Sequence, residues 1–394
     1  MSELLERGRR RVEWIRSQMH LLERARRDFA TSQPFKALTI GVALHTEPKT
    51  VVLIETLHAG GARIVGTGNH GSTQDDMVAV LRAMDIEIYG SRGDSWEQHL
   101  ADVRRVADAK PDILLDNGAD LVATVLARGT AGSIRGGTEE TTSGNDRLRS
   151  ELAGKVPFPI IVINDSPIKQ VVENQHAVGE GAVESFMRIT NLQINGRRFV
   201  VVGYGWCGRG IANYLRAFGG RVAVAEIDPI KQMEAVMAGF AVASLDELAA
   251  WGQAFITATA RERVISTEAF LRMNSGAVLA NSGHFPTEID VPALRKLAQA
   301  SYLIDDDIER FDLSGRRSIF LVADGCMFNL AGRQPKGNSI ESMDVGFLLQ
   351  SLSLERVALA TKSELSKGAN PVPRDINREI ASRIVATHQQ ANFS

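Results

Sequence analysis

Phe199-Val200-Val201-Val202-Gly203-Tyr204-Gly205-Trp206-Cys207-Gly208 is a run of four apolar residues that ends in GxGxxG, followed by a helical pattern from about Arg209 to Phe218. A buried strand that turns on glycines into a helix brings bare backbone and free helix N–H groups up to a pyrophosphate. GxGxxG alone is a weak signal. Here a second strand, Arg221 to Ala225, follows and ends at Glu226, which can accept hydrogen bonds from both hydroxyls of an adenosine ribose. The carboxylate would repel a 2′-phosphate, so the expected cofactor is NAD rather than NADP. Lys231 lies close enough in sequence to blur this preference, although a lysine there reads equally as a solvated helix position.

Outward from this stretch, the apolar runs Ala254 to Thr257, Ala277 to Ala280 and Ser318 to Leu321 continue one strand–helix series. An earlier series has strands at Leu38 to Leu44, Ala62 to Val65, Asp112 to Leu115 and Pro159 to Ile163. Between them come helical patterns at Thr50 to His58, Gln74 to Met84 and Glu97 to Ala109. Strands alternating with helices predict an α/β protein with parallel sheets. Gln175 to Thr190, with Gly179 and Gly181, predicts a helix suited to a hinge between the two series. After Met343 come an apolar helix (Val345 to Ala360), the Pro-rich turn Asn370-Pro371-Val372-Pro373 and a last helix to about Thr387.

The length of 394 residues favours two domains over one core. A net charge of -2 gives no field for gathering phosphates, so nucleic acid is not an expected partner. The opening Arg7, Arg9, Arg10 and Arg11, interleaved with Glu3, Glu6 and Glu13, read as the wet side of an amphipathic helix. No run of about 18 apolar residues occurs, so no membrane span is expected, and no secretory signal is recognisable. Cys207 and Cys326 are too few for a disulfide framework or a structural zinc site, and no metal is expected. The expected location is cytoplasmic.

Several stretches, in order along nearly the whole chain, resemble the S-adenosylhomocysteine hydrolase family. They are Leu44-His45 with Val52 to Leu57; Ser72-Thr73-Gln74-Asp75; Ile134-Arg135-Gly136 with Glu139-Glu140-Thr141-Thr142; Asn164-Asp165-Ser166 with Lys169; Gly203-Tyr204-Gly205; Glu226-Ile227-Asp228-Pro229; and Gly283-His284-Phe285 with Glu288-Ile289-Asp290. The resemblance implies a Rossmann-type NAD-binding domain, 179–343, inserted into a parallel α/β substrate domain built from 1–178 and 344–394. It also implies a homo-oligomer, dimer or tetramer, acting on an adenosine-like small molecule. In the family's reaction tightly held NAD oxidises the ribose 3′-hydroxyl, the C4′ proton becomes acidic, the 5′ group leaves, water adds, and the ketone is reduced back. The physical need is plain, because a proton beside an ether oxygen is removable only when a neighbouring carbonyl delocalises the charge. The site must exclude water while that ketone exists.

Residue by residue, the resemblance makes Lys169 the group that takes the 3′-hydroxyl proton, which calls for a desolvated lysine with a lowered pKa. His45 becomes the acid/base near the 5′ position and Glu140 the ligand of the ribose hydroxyls. Asn174 supports the lysine, and His284 lies between nicotinamide and substrate. Thr141, Thr142, Ser143 and Asn329 become cofactor contacts, together with Gly203, Gly205, Trp206, Cys207, Gly208, Glu226, Lys231, Thr257, Ala258, Ser282 and Gly283. Taken singly, each polar residue reads equally as a surface or satisfied core position.

The chain departs from the family on the substrate side. A catalytic carboxylate is replaced by Asn117, an amide that cannot accept a proton at neutral pH. Glu173 stands where the lysine's accompanying aspartate is expected. Glu47 and Lys49 replace a threonine and a glutamate or glutamine that help recognise adenine, and a lysine has only donors. Gly71 replaces a phenylalanine before Ser72, and Gly337-Asn338-Ser339 replaces the family's Gly-His-Pro gate. The tail that reaches a neighbouring subunit's cofactor has no counterpart after Pro373. These departures lead to the expectation of a specialised dehydratase-type paralogue in nucleoside metabolism. Ordinary hydrolysis of S-adenosylhomocysteine or S-inosylhomocysteine is the alternative, and a non-catalytic NAD-binding regulator is the third reading.

Overall fold

The computed structural model describes residues 3–332, 334–360 and 364–393, with 387–393 described by backbone only. It divides into two compact units, one formed by the chain up to Gln170 and again from Ile340, the other by Val171–Ser339. Each is an α/β layer structure, as the alternation of strands and helices predicts.

The strands of the first unit are β1 (Thr39–Ala43), β2 (Arg63–Thr67), β3 (Glu87–Tyr89), β4 (Ile113–Asp116), β5 (Gly136–Glu139) and β6 (Pro159–Val162). The second unit contributes β7 (Arg198–Val202), β8 (Arg221–Ala225), β9 (Ala241–Val242), β10 (Ala254–Thr257), β11 (Ala277–Asn281), β12 (Ala300–Asp305), β13 (Ile308–Leu313) and β14 (Arg317–Val322), and β15 (Gly368–Pro371) returns to the first. The first sheet has the order β15-β6-β5-β4-β1-β2-β3, every pair parallel. Chain direction across the sheet reverses between β1 and β4, which opens a crevice at their carboxyl ends.

The second sheet, β12-β13-β14-β11-β10-β7-β8-β9, contains the dinucleotide-binding strand order of six parallel strands, extended by the antiparallel pair β13 and β12. Its switch point lies between β7 and β10. Apolar side chains on both faces fill the layers, with Phe199, Ile211 and Phe328 on one side of the sheet and Phe255, Phe270 and Phe311 on the other.

Three readings of the sequence change. The opening amphipathic segment is followed by a second helix, so that Glu3–Gln18 and His20–Ser32 form a pair. The Pro-rich turn begins as β15, an edge strand pairing with β6, where a proline's missing N–H costs no ladder bond on the open side. Gly179 and Gly181 both lie in the helix Val178–Thr190 and have packing reasons, since a Cβ at Gly179 would lie 2.7 Å from the Gly210 backbone and one at Gly181 2.9 Å from the Gly337 carbonyl.

Among the described residues no helix is long and apolar enough to cross a membrane. The helix His20–Ser32 has no side-chain cap of its own. Asp344 supplies one from the helix Ile340–Leu359, accepting the Leu21 N–H at 2.8 Å and the Leu22 N–H at 2.7 Å. Burial pushes the Asp344 carboxyl up to about 6 against these two hydrogen bonds. The folded chain therefore holds a proton that the unfolded chain releases near pH 4, and this contribution to stability is lost as pH rises from about 4 to about 6. Asp344→Asn should gain on the unmodified protein across that window, by on the order of 2 to 3 kcal/mol, and run parallel to it above pH 6. Denaturant titrations at pH 4.5 and 7 measure this. A difference independent of pH would contradict it.

Candidate functional site

In the first unit the expected site residues follow the carboxyl ends of the strands that flank the crevice. His45 comes two residues after β1, Asn117 immediately after β4 and Glu140 immediately after β5; Asn69, not among those expected, comes two residues after β2. Two buried carboxylates shape these loops. Asp116 accepts the N–H groups of Asn117, Leu121 and Val122 at 2.9, 3.2 and 2.7 Å. Glu139 accepts those of Gly118, Ala119 and Thr141 at 3.0, 3.0 and 2.8 Å and the Thr141 hydroxyl at 2.7 Å. The two are partners in register across β4 and β5 and neither is exposed, so burial raises both above the usual carboxylate range.

The His45 ring is held at both nitrogens. Nδ1 lies 2.6 Å from the Ser72 hydroxyl, which donates to the Asn69 carbonyl at 3.2 Å. A hydroxyl that donates to the carbonyl leaves Nδ1 to donate to Ser72, and in that tautomer Nε2 carries the lone pair. Asn69 Nδ2 lies 3.4 Å from that Nε2 and donates to Asn117 Oδ1 at 2.9 Å. His45, Ser72, Asn69 and Asn117 are therefore one connected group that includes an imidazole. Asn69 was not singled out in the sequence; its only signal is its place three residues before Ser72.

A second group is built around Glu140, which is 6% exposed. The Lys169 ammonium pairs with its Oε1, and Gln350 Nε2 donates to its Oε2. Lys169, also 6% exposed, begins a widened π-helical segment, Lys169–Ala177, that carries Glu173 and Asn174, both buried. Such segments are uncommon and often accompany functional sites. Gln350 was also missed, although a lone amide inside the apolar pattern Val345 to Ala360 is a legible signal. Glu47 and Lys49 form a third buried group, with 2.9 Å between Lys49 Nζ and the Glu47 carboxylate. Thr141 caps the helix Thr142–Arg149 and lies 3.1 Å from Ser143, which is buried, whereas Thr142 is exposed.

In the second unit the glycine turn has the geometry a dinucleotide needs. Gly203 has φ +94°, and a Cβ on Gly208 would sit 2.0 Å from the Gly203 carbonyl. Above Gly205 a Cβ would meet nothing within 4 Å, and the helix Trp206–Ala217 that starts there has no side-chain cap. Open space and free N–H groups at a helix N-terminus fit a pyrophosphate. Glu226, at the end of β8, accepts the N–H groups of Tyr204, Ile227 and Asp228 at 2.7, 2.7 and 3.0 Å, which fixes its carboxylate beside that turn.

The other expected cofactor residues are distributed around the β10 and β11 ends. Trp206 and Cys207 are half-buried at the start of the glycine-turn helix, and Lys231 is half-buried in the helix Pro229–Met237. Thr257 is wholly buried and sits 2.9 Å from Asn281 Oδ1, and half-buried Ala258 follows it. Asn281 gathers the carbonyls of Gly283, Phe285 and Gly325 at 3.2, 2.8 and 2.9 Å, so it shapes the loop of Ser282, Gly283 and half-buried His284. Asn329 Oδ1 and the Ser282 hydroxyl are buried without a hydrogen-bond partner among the described residues, as polar atoms reserved for a ligand would be. Asn338 is half-buried in the segment before Ile340. Among the described residues no cluster of histidine, cysteine and carboxylates could hold a metal ion.

Binding of NAD should be tighter than that of NADP, and Glu226→Ala should narrow the gap by about ten- to a hundredfold, the equivalent of about 1.5 to 3 kcal/mol for a hydrogen bond to a charged group. Calorimetric titration with both nucleotides checks this; tighter binding of NADP by the unmodified protein would contradict it.

Comparison with known proteins adds the family. Residues 2–131 match the family described as S-adenosyl-L-homocysteine hydrolase, and residues 174–334 match its NAD binding domain. The S-inosyl-L-homocysteine hydrolase of Methanopyrus kandleri is 40% identical over 385 residues, 96% of this chain and 90% of that protein. The corresponding protein of Methanothermobacter thermautotrophicus is 41% identical over 354 residues (89% and 85%), and the adenosylhomocysteinase of Archaeoglobus fulgidus is 39% identical over 378 (95% and 92%). These relatives overturn the expectation of a dehydratase-type paralogue, because near-full-length similarity at this level runs to proteins named as hydrolases. The physical reason lies in Asn117, the strongest of the departures behind that expectation: the amide is joined through Asn69 to the His45 ring, so an imidazole remains in its network. The chain belongs to the S-adenosyl-L-homocysteine hydrolase family, and its middle segment is that family's NAD-binding domain.

Proposed function

We propose that this enzyme hydrolyses an S-nucleosyl homocysteine to homocysteine and a purine nucleoside, with the 6-oxo base of S-inosylhomocysteine as the preferred substrate. The observation that carries the hydrolase reading is the buried Lys169–Glu140 pair, whose chemistry a packed core does not need. NAD, when bound, supplies the hydride acceptor for the 3′ carbon and so makes the C4′ proton removable.

The chain's own residues then have distinct tasks. Glu140 accepts the ribose hydroxyls, each of its oxygens having acceptor capacity beyond Lys169 and Gln350. Lys169, desolvated beside it, takes the 3′-hydroxyl proton and returns it at the end of the cycle. His45 Nε2 handles the proton traffic at the 5′ side: it takes the C4′ proton and gives a proton to the leaving sulfur, then takes one from the adding water and returns one to C4′. Asn117 orients water or a hydroxyl through the hydrogen bonds that Asn69 fixes.

The base preference rests on Lys49. It stands where the family resemblance puts the acceptor for the adenine amino group, and as a donor it suits the 6-carbonyl of hypoxanthine. Glu47 holds that ammonium in place at 2.9 Å. Two of the relatives named above are S-inosyl hydrolases, in line with this reading.

The specificity constant for homocysteine release from S-inosylhomocysteine should exceed that from S-adenosylhomocysteine by about tenfold or more, the size expected when a buried donor faces a donor. A coupled thiol assay decides this: a ratio of one or less refutes the base preference, and no release from either refutes the hydrolase reading. Lys169→Ala should still bind NAD but show no transient absorbance at 340 nm on adding inosine. Undiminished reduction would assign the base elsewhere.

A further inference from the structure

We propose that Gln350 is a positioning residue for the nucleoside's ribose, its amide holding Glu140 in the one orientation that receives both hydroxyls. The inference rests on the reading of Glu140 as the ribose ligand. Gln350 lies inside the helix Ile340–Leu359 with no exposure, and its Nε2 donates to Glu140 Oε2. A carboxylate only accepts, so the amide cannot be turned over without setting oxygen against oxygen. Turned as it is, Oε1 is left buried with no partner among the described residues.

The interface around it shows that packing does not call for an amide. A Cβ on Gly136 would lie 2.9 Å from Val357 Cγ1, so β5 and this helix run face to face, with Gly136 near Val357 and Glu140 at Gln350. On the same face of β5 as Gly136 and Glu140 lies Thr138, and one helical turn from Gln350 lies Ser353. Both hydroxyls are buried without partners among the described residues. An apolar side chain of glutamine's volume would fill the slot without leaving an acceptor stranded, since an unmade buried hydrogen bond costs stability. What the amide adds is the second anchor on Glu140. Lys169 pairs with Oε1, and an anchor at one oxygen alone leaves a carboxylate free to rotate about its Cγ–Cδ bond. With Oε2 held by Gln350 the carboxylate plane is fixed, the arrangement that two vicinal hydroxyls require.

The test uses the protein carrying NADH, so that no hydride can leave the sugar, and measures binding of inosine and of 2′,3′-dideoxyinosine by calorimetry. Gln350→Met should weaken inosine by about tenfold, as for one lost charge-assisted hydrogen bond, leave dideoxyinosine unchanged, and melt at the same temperature or higher. A purely structural residue would weaken both ligands alike. Equal weakening, an unchanged ratio, or a variant that fails to fold overturns the inference. Glu140→Gln separates the two claims: if it leaves the inosine-to-dideoxyinosine ratio intact, the ribose role of Glu140 is wrong. If it abolishes that ratio while Gln350→Met does not, only the role of Gln350 is wrong.

Discussion

The first unit depends on two carboxylates that water does not reach. Asp116 and Glu139 lie side by side at the ends of adjacent parallel strands and between them accept six backbone N–H groups from the loops that carry Asn117, Glu140 and Thr141. Loops at the carboxyl ends of parallel strands have no ladder to hold them, so their backbone donors need acceptors from elsewhere. The carboxylates supply these, and burial raises both toward the neutral form, so the arrangement persists because so many donors converge on it.

The same economy of charge governs the reacting groups. Lys169 and Glu140 are an ion pair in a place where an apolar pair would stabilise the fold at least as well, since desolvation offsets much of their attraction. In the proposed reaction this burial keeps water from the sugar and sets a proton-accepting amine against a hydroxyl-binding carboxylate. His45 is treated differently, with Nδ1 against the Ser72 hydroxyl and Nε2 beside the Asn69 amide. In the second unit the backbone does most of the work, with Gly203, Gly205 and Gly208 shaping the turn and Glu226 locked by three N–H groups.

The parts of this architecture legible in the sequence are those where apolar runs coincide with strands. β7, β8 and β10 are read to the residue or within one, because they are buried on both faces. β5 escaped because Gly-Gly-Thr-Glu carries no strand signal. Its glycines are there for contact, a Cβ at Gly137 falling 2.5 Å from the Leu114 carbonyl. β12 and β13 escaped because the pair is joined through Asp305 to Asp307 and β12 is exposed throughout. In the candidate site, residues lying in long shared motifs, such as His45, Glu140, Lys169 and Glu226, could be named from the sequence alone. Asn69 lies in a loop and Gln350 in a helix far along the chain, and only folding assigns their partners, Asn117 and Glu140. The dehydratase expectation failed because it weighed the substrate-side departures one by one, Asn117 above all, without the hydrogen bonds that connect that amide through Asn69 to His45.

The central claim is that hydrolysis proceeds by removal of the C4′ proton, with NAD regenerated in every turnover. Turnover of S-inosylhomocysteine in deuterium oxide, with the nucleoside product examined by proton NMR, tests it most directly. The account predicts inosine carrying deuterium at C4′, homocysteine in equal amount, and no net NADH. Inosine that retains its original C4′ proton would show direct displacement at the 5′ carbon and contradict it.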